Sequence, residues 1–395
     1  MTLQDDLVEL RRALHREPEI GLDLPRTQEK VLAALDGLPL EITTGERLSS
    51  VTAVLRGGGP GPADHRPAVL LRADMDALPV HEKTDVPYRS RFDGRMHACG
   101  HDLHTAILVG AARLLSERRA DLAGDVVLMF QPGEEGEEGA RLMIEEGVLD
   151  AAGARPVAAY GMHVFSTTIP RGLFLTKGGP VLAAADTLTV TVRGRGGHGS
   201  SPHRALDPIP AACEIVTALQ THVTRGYDVF DPVVVTVGSF HAGTTDNVIP
   251  DEATFEATVR TFSAGSRDRV REGLVRLARG IGEAHGLTVD CTFGIGYPVT
   301  VNDDAEAEFA AHTVREALGQ DRYFPLPTPA TGSEDFSYVL EQVPGAFLVV
   351  GACPPGRDLA TAPANHSAEA EFDDAILSDG ATLLTELAVR RLARA

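Results

Sequence analysis

The chain has 395 residues, more than one hydrophobic core usually supports, so its length predicts two domains. Acidic residues outnumber basic ones, 56 against 36, and the formal net charge of −20 argues against nucleic acid or an anionic membrane as a partner. The sequence has no apolar run near the roughly 18–20 residues of a membrane span, no secretory signal at its start and no paired C-x-x-C cysteines, so we expect a cytoplasmic protein.

In chain order, an amphipathic helix is predicted over residues 1–21, and the Gly/Pro-rich segment 57–62 is predicted to be a hairpin turn. Three short apolar runs that end in polar residues are then predicted to be buried strands. They cover 68–76, 125–135 and 157–163, and helical apolar spacing fills 104–119 and 139–150 between them. This alternation predicts a mostly parallel sheet covered by helices, with a ligand site beyond the carboxyl ends of its strands.

The middle of the chain follows a different order, which is typical of a ferredoxin-like α+β unit. Its predicted strands cover 186–194, 232–243, 252–262 and 287–296, and its helices cover 205–221 and 266–285. A further strand over 343–353 and a helix from about Asp374 then complete the first domain. The prediction is therefore an α/β fold in which residues 1–182 and 298–395 form a catalytic domain and residues 183–297 form an inserted second domain.

Thiol, imidazole and carboxylate side chains follow the ends of the predicted strands. They are Cys99, His101, Glu134, Glu135 and His163, and His366 lies in a loop after the late strand. These are the ligand types of zinc and neighbouring transition metals. If one of the two glutamates stays free, the other five residues suit two metal ions better than one tetrahedral zinc. Two ions about 3.5–4 Å apart can activate a water and polarise a carbonyl together. Of the adjacent glutamates, one would bind metal and the other would take a proton from the water.

Other interpretations of the same residues stay open. His97 and His104 either orient a ligand or simply pack, while Cys213, Cys291 and Cys353 are expected to be structural. An enzyme using a Cys99–His101 thiol nucleophile would form a covalent intermediate. A metal-dependent binding protein without turnover is the alternative outside enzymology.

Eight short motifs between Arg72 and Ser367 carry a family resemblance. In order they are RADMDALP, MHACGHDLHTA, QPGEEG, GMH, GRGGHGSSPH, NVIPDEA, GSEDFSY and NHS. With these motifs the sequence resembles the dinuclear metallo-aminoacylase and carboxypeptidase family, in the branch of hippurate hydrolases, N-acyl-amino-acid amidohydrolases and auxin-conjugate hydrolases. The resemblance implies hydrolysis of the amide bond in a small N-acyl amino acid such as hippurate or an N-acetyl conjugate. A dipeptidase or carboxypeptidase is the nearest alternative.

The resemblance also implies roles for particular residues of the catalytic domain. The implied metal ligands are Cys99, His101, Glu135, His163 and His366. Glu134 would be the general base and acid, and Asp74 would support the ligands without binding metal. Arg72 stands where the peptidase branch has a ligating histidine, which favours the amidohydrolase branch. Two divalent ions are implied, zinc by default, with manganese, cobalt or nickel as alternatives.

The inserted domain matches the part of the family that serves as a lid and usual dimerisation domain. His198 resembles the histidine that polarises the scissile carbonyl. Asn247 and Arg260 resemble residues that hold the substrate, although Arg260 is nearly as well explained as a surface arginine of a strand. Gly332 and Ser333 resemble the loop that meets the substrate carboxylate. The implied partners are a small N-acyl amino acid and a second copy of the chain.

Overall fold

The computed structural model describes residues 2–60 and 66–395. The chain folds into two compact units. The first unit comprises Met1–Val181, Val301–Thr328 and Asp335–Ala395, and the second comprises Leu182–Thr300 and Pro329–Glu334. The segment Pro329–Glu334 belongs to the second unit because the amide of Ala183 donates to the carbonyl oxygens of Ala330 and Gly332, at 3.2 and 2.9 Å. The predicted boundaries place residues 183–297 in the second domain and residues 1–182 and 298–395 in the first, so they do not assign Pro329–Glu334 to the second domain. These boundaries stay a prediction.

The helices and strands of the first unit have the following bounds. Its helices are α1 (Leu3–Arg16), α2 (Pro25–Leu35), α3 (His101–Glu117), α4 (Gly139–Glu145), α7 (Asp304–Ala317), α8 (Ser337–Leu340) and α9 (Leu377–Leu392). Its strands are β1 (Leu40–Thr44), β2 (Val51–Leu55), β3 (Ala68–Asp74), β4 (Asp125–Gln131), β5 (Ala158–Phe165), β6 (Phe174–Thr176), β15 (Tyr323–Pro325) and β16 (Gly345–Gly351).

The strands of the first unit form one eight-stranded sheet in the order β1-β2-β4-β3-β5-β16-β6-β15. At its centre β3 pairs in parallel with β4 and β5, and β5 pairs in parallel with β16. Every residue of β3, β4 and β16 is buried, which explains why these strands appear in the sequence as nearly continuous apolar runs. The predicted hairpin at 57–62 is wrong, since β2 and β3 lie on opposite sides of β4. Gly61 and Pro62 of that segment lie outside the described residues.

Helices pack on this sheet and bury their apolar faces. Helix α1 begins with a capping box between Thr2 and Asp5 and turns Leu7 and Leu14 inward. Helix α3 is buried along most of its length, against α1, α9 and β3. The core of the first unit is therefore continuous from its N-terminal to its C-terminal helix.

The second unit is built around a four-stranded antiparallel sheet in the order β10-β12-β8-β13. Its elements are β8 (Ala184–Arg193), β9 (Gly197–His198), α5 (Pro208–Gly226), β10 (Val233–Ala242), β11 (Val248–Ile249), β12 (Glu252–Thr261), α6 (Ala264–Ala284) and β13 (Thr288–Ile295). Short strands β7 (Gly179–Leu182) and β14 (Thr300–Asn302) fall where the sequence passes between the units. Alternate residues of β8 and β12 are buried, and they pack with α5 and α6 into a second apolar core.

The predicted fold class is confirmed. A mostly parallel sheet covered by helices forms the first unit, and a β-α-β-β-α-β arrangement with a ferredoxin-like strand order forms the second. In the part of the chain that the structure describes, no helix combines the length and the apolar character needed to cross a bilayer.

Candidate metal centre

A left-handed glycine places two of the predicted ligands side by side. Gly100 has φ +93° and ψ +17° and immediately precedes helix α3, so Cys99 ends the incoming loop and His101 begins the helix. A Cβ atom on Gly100 would lie 2.4 Å from Cγ2 of Val164. Only glycine accepts both this backbone conformation and this close approach. The tight turn therefore brings Cys99 and His101 to the end of strand β5.

The Cys99 sulfur lies at the centre of the cluster. Its Sγ atom is 3.2 Å from Nε2 of His163 and 3.2 Å from Nε2 of His366. The same His366 nitrogen lies 3.3 Å from Oε1 of Glu135. Ligand atoms of Cys99, His101 and His163 converge within 4.8 Å, and so do those of Cys99, Glu135 and His366. These two groups share one sulfur, so together they could hold two divalent ions side by side.

His101 shows why the cluster suits a metal ion. The residue is fully buried, and among the described residues neither of its ring nitrogens has a hydrogen-bond partner. Its Nε2 is 3.9 Å from Oε1 of Glu135 and 4.0 Å from Oε2 of Glu134, and its Nδ1 is 3.5 Å from Oδ1 of Asp76. A buried imidazole without partners costs free energy, which metal coordination would offset. The residues present therefore fit divalent ions.

Electrostatics in the cluster favour positive charge. Burial alone would lower the pKa of the His101 imidazole, but the Asp74 carboxylate and the Cys99 sulfur raise this pKa well above its ordinary range. Burial raises the pKa of the Cys99 thiol to about 12. For Asp74, burial is outweighed by His101 and Arg72, which hold the pKa of the carboxyl well below its usual range. A divalent cation would supply the positive charge that a proton on His101 otherwise provides.

Asp76 holds the loop that carries the two glutamates. Its carboxylate accepts the backbone N–H of Glu134 and of Glu135, each at 3.0 Å. Asp76 is 1% exposed and Glu134 is 6% exposed, so this contact is inside the protein. Sequence reasoning missed Asp76. The available signal was a second aspartate, two residues after Asp74, at the end of a buried strand.

Asn365 is a second residue that sequence reasoning missed. Its Nδ2 donates to the carbonyl oxygens of Cys99 at 3.1 Å and Val164 at 2.9 Å, so it links the loops of three predicted ligands. The next residue, His366, has φ +71°, which is uncommon for a residue other than glycine. Adjacency to His366 in the NHS motif was the only hint of this role in the sequence.

Arg72 is buried next to the cluster, and its contacts do not indicate a role as a metal ligand. Its guanidinium donates to Asp74 at 2.6 Å, to Gln131 at 2.8 Å and to Asp335 at 2.9 Å. It thus neutralises two buried carboxylates, and it orients Asp74 as the predicted supporting residue.

His97 stays outside the candidate metal groups of the described chain. It is 1% exposed, and among those residues both ring nitrogens are unpartnered. Burial lowers its pKa to about 3, so it is a neutral imidazole. Its ring centroid lies 6.2 Å from that of His15, which is consistent with packing.

The second unit contains the other predicted site residues on separate segments. His198 is exposed on β9 and pairs with Val248 of β11, while the carbonyl of the neighbouring Asn247 accepts the Gly199 amide at 2.8 Å. His198 and Asn247 are therefore brought together by one short two-stranded sheet.

Arg260 lies half-buried on strand β12. Its Nη1 donates to Oγ1 of Thr258 at 2.6 Å, and burial lowers its pKa, the opposite of the shift that an ion pair produces. Gly332 is exposed and Ser333 is half-buried in the segment Pro329–Glu334. The roles of all these residues toward a substrate stay predictions.

Comparison with known proteins adds independent information. Residues 70–390 match the model of peptidase family M20/M25/M40. Thermostable carboxypeptidase 2 of Saccharolobus solfataricus is 34% identical over 392 residues, covering 98% of this chain and 96% of the relative. N-acetylcysteine deacetylase of Bacillus subtilis is 38% identical over 346 residues, covering 87% and 88%. A crystal structure from Bacillus subtilis, described as a dinuclear metal binding peptidase from the M20 family, superposes with a TM-score of 0.84 at 33% identity and covers 99% of both chains.

Proposed function

Because this chain belongs to peptidase family M20/M25/M40, we propose that it cleaves the amide bond of a small N-acyl amino acid and releases a carboxylic acid and the free amino acid. The family match and the deacetylase relative confirm the predicted resemblance and the predicted enzyme class, a metal-dependent hydrolase of amide bonds. The observation that carries the proposal is the pair of ligand groups that share the Cys99 sulfur.

The metal centre of the proposal uses five ligands. They are Cys99, His101, Glu135, His163 and His366. Two divalent ions would supply Lewis-acid activation of the water and of the amide carbonyl when bound. The thiolate and imidazole ligands favour zinc, and manganese, cobalt or nickel would also suit the set.

Glu134 and Glu135 have different roles in this proposal: Glu135 binds metal and Glu134 is the general base and acid. Glu135 has the contact to His366 and belongs to the group around Cys99, whereas Glu134 is not part of that group and its Oε2 lies 4.0 Å from Nε2 of His101. Glu134 is thus the carboxylate better placed to accept the proton of the attacking water and return it to the leaving amine. The hydrogen bond from its backbone N–H to Asp76 fixes the backbone from which the carboxylate extends.

His198 is proposed to donate a hydrogen bond to the developing oxyanion. Its Nδ1 accepts the Ser200 amide at 3.2 Å, and an amide can only donate, so the proton of a neutral His198 is on Nε2. An exposed Nε2–H is the donor that an oxyanion needs. Asn247, Arg260, Gly332 and Ser333 are proposed to bind the substrate, with Asp74 supporting the ligands.

The proposal includes a homodimer formed through the second unit and a location in the cytoplasm. Nucleic acid and membranes are not expected as partners, given the net charge of −20.

A carboxypeptidase or dipeptidase is the second candidate function, and the 34% identity to the carboxypeptidase of Saccharolobus solfataricus favours it. Both reactions cleave an amide beside a free carboxylate. They differ in whether an acyl group or an amino acid occupies the other side of the bond, so substrate panels separate them.

A thiol nucleophile is disfavoured by the structure. Burial raises the pKa of Cys99 to about 12, whereas a nucleophilic cysteine needs a depressed pKa. Mass spectrometry of a quenched reaction would detect an acyl adduct on Cys99, and such an adduct would support this rival.

The test is to load the metal-free protein with each divalent ion and to measure release of amino acid from N-acyl amino acids and from dipeptides. The matched variants are Glu134→Gln and Glu135→Gln. We expect Glu134→Gln to keep its metal and to lose about 10²–10⁴-fold in rate, whereas Glu135→Gln should lose metal affinity. Normal turnover by Glu134→Gln would contradict its role, and a metal-loaded wild type without turnover would favour a non-catalytic binding protein.

A further inference from the structure

His104 lies between two of the proposed ligands. It is 1% exposed, and its ring stacks on that of His101 with a centroid distance of 5.4 Å and an interplanar angle of 30°. Its ring also meets that of His163 edge-on, at 4.7 Å and 69°. Any shift of the His104 ring would therefore displace a ligand.

Hydrogen bonds use both ring nitrogens of His104. The backbone N–H of Val164 donates to Nε2 at 2.9 Å, and Nδ1 lies 2.6 Å from Oδ1 of Asp74. Because an amide nitrogen can only donate, Nε2 has no proton, and Nδ1 must donate its proton to the carboxylate. The structure thus assigns His104 the Nδ1–H tautomer.

The groups that His104 contacts are themselves held from their other sides. Arg72 donates to Oδ2 of Asp74 at 2.6 Å. The carbonyl oxygen of Val164 accepts from Asn365 at 2.9 Å and from Nδ1 of His163 at 2.8 Å. The N–H and the C=O of the residue that follows His163 are thereby both fixed, and Nε2 of His163 remains directed at the Cys99 sulfur.

Resting on the proposed function, we infer that His104 is a positioning residue of the metal centre. It connects Asp74 to the Val164 amide. In this way it fixes the ring of His163 and restricts the movement of the His101 ring. It does not bind metal itself. Residues that orient ligands in this way typically contribute about 10–100-fold in metal affinity.

The competing explanation is that His104 is a ligand, since Asp74, His101 and His104 also place ligand atoms within 4.8 Å of one another. Coordination would need a free lone pair on His104. Nε2 would have to release the Val164 amide, or Nδ1 would have to lose its proton beside a carboxylate. Both changes leave a buried polar group without its partner.

Two substitutions separate the two hydrogen bonds. His104→Asn keeps a donor near Asp74 but does not reach Val164, whereas His104→Gln reaches the Val164 amide and loses the bond to Asp74. The matched control is Ile107→Val, which removes one methylene from the same buried helix at a residue that takes no part in the hydrogen bonds of His104. The readout is titration of the metal-free proteins with Co²⁺, followed by the charge-transfer absorption of the Cys99 thiolate.

We expect His104→Asn to bind the same number of cobalt ions as the wild type with about 10–100-fold lower affinity, and His104→Gln to recover part of that loss. The Ile107→Val control should titrate like the wild type. Wild-type affinity in His104→Asn would overturn the inference. So would the loss of one cobalt ion at unchanged affinity for the rest, because that result would make His104 a ligand.

A second measurement does not depend on metal. In metal-free protein labelled with ¹⁵N-histidine, long-range ¹H–¹⁵N correlations should show the Nδ1–H tautomer for His104, identified by its absence in His104→Gln. An Nε2–H tautomer or a doubly protonated ring would overturn the inference even in an active enzyme. If the wild type instead bound cobalt without a thiolate band, the proposed metal centre would be wrong, so the two failures are distinguishable.

Discussion

Replacing Gly100 with alanine tests how the candidate centre is built. The new Cβ would meet Cγ2 of Val164 at 2.4 Å and Cε1 of Phe372 at 3.2 Å, and φ is +93°. The left-handed backbone costs an alanine about 1–2 kcal/mol, and crowding of a packed core adds about 1–3 kcal/mol. We therefore expect Gly100→Ala to lower the free energy of unfolding by about 2–5 kcal/mol.

Gly94 provides the matched control, because it has φ +73° but no atom of the described chain lies within 4 Å of the position that a Cβ would occupy. Gly94→Ala should lose only the conformational part, about 1–2 kcal/mol. Urea unfolding of the metal-free proteins gives both values without a contribution from bound metal. Equal losses in the two variants would refute the argument that the approach to Val164 demands a glycine.

Three further predictions concern other parts of the molecule. Burial would raise the pKa of Glu82, but His15 lowers it from 4.5 to about 2, so Glu82 stabilises the fold above pH 4.5 and this stability is lost as the pH falls toward 2. Between pH 4.5 and 2 the unfolding free energy of Glu82→Gln should fall by roughly 3 kcal/mol less than that of the wild type. An unchanged pH profile would contradict the assignment. Asp76→Asn should weaken metal binding about 10–100-fold, as measured by competition with a chelator, because an amide oxygen replaces only one of two acceptors. His198→Ala should lose about 10²–10³-fold in kcat, and mixing it with Glu134→Gln should restore up to roughly a quarter of wild-type activity if His198 acts across a two-fold dimer; heterodimers that stay inactive would exclude that arrangement.

The strands of the first unit were predictable because burial on both faces leaves a continuous apolar run. The predicted 68–76 became Ala68–Asp74, and the predicted 157–163 became Ala158–Phe165. Helix α3 begins at His101 rather than at the predicted residue 104, because the left-handed Gly100 starts the helix one turn earlier. The hairpin at 57–62 failed because turn composition does not reveal that β4 inserts between the two flanking strands.

The candidate site was predictable as a set of residue types but not as a network. Cys99 and His163 could be proposed from the sequence because thiol and imidazole side chains are chemically distinctive, and the structure brings their Sγ and Nε2 atoms within 3.2 Å. Asp76 and Asn365 were missed because their partners are backbone groups 58 and 266 residues away in the chain. In a sequence, an aspartate or asparagine that binds a distant peptide group cannot be told apart from one that is exposed to solvent.

The order of strands in the first unit also bears on when the centre can form during synthesis. Strand β5 pairs with β16, whose first residue follows the last residue of β5 by 180 positions, and the proposed ligand His366 comes later still. A nascent chain that has only reached the second unit leaves one side of β5 unpaired and lacks His366, so the proposed centre is complete only after the C-terminal segment leaves the ribosome. Such distant pairings also slow folding, because a long loop must close before its contacts stabilise it. The proposed centre should therefore take up metal late in folding, after β16 has paired with β5.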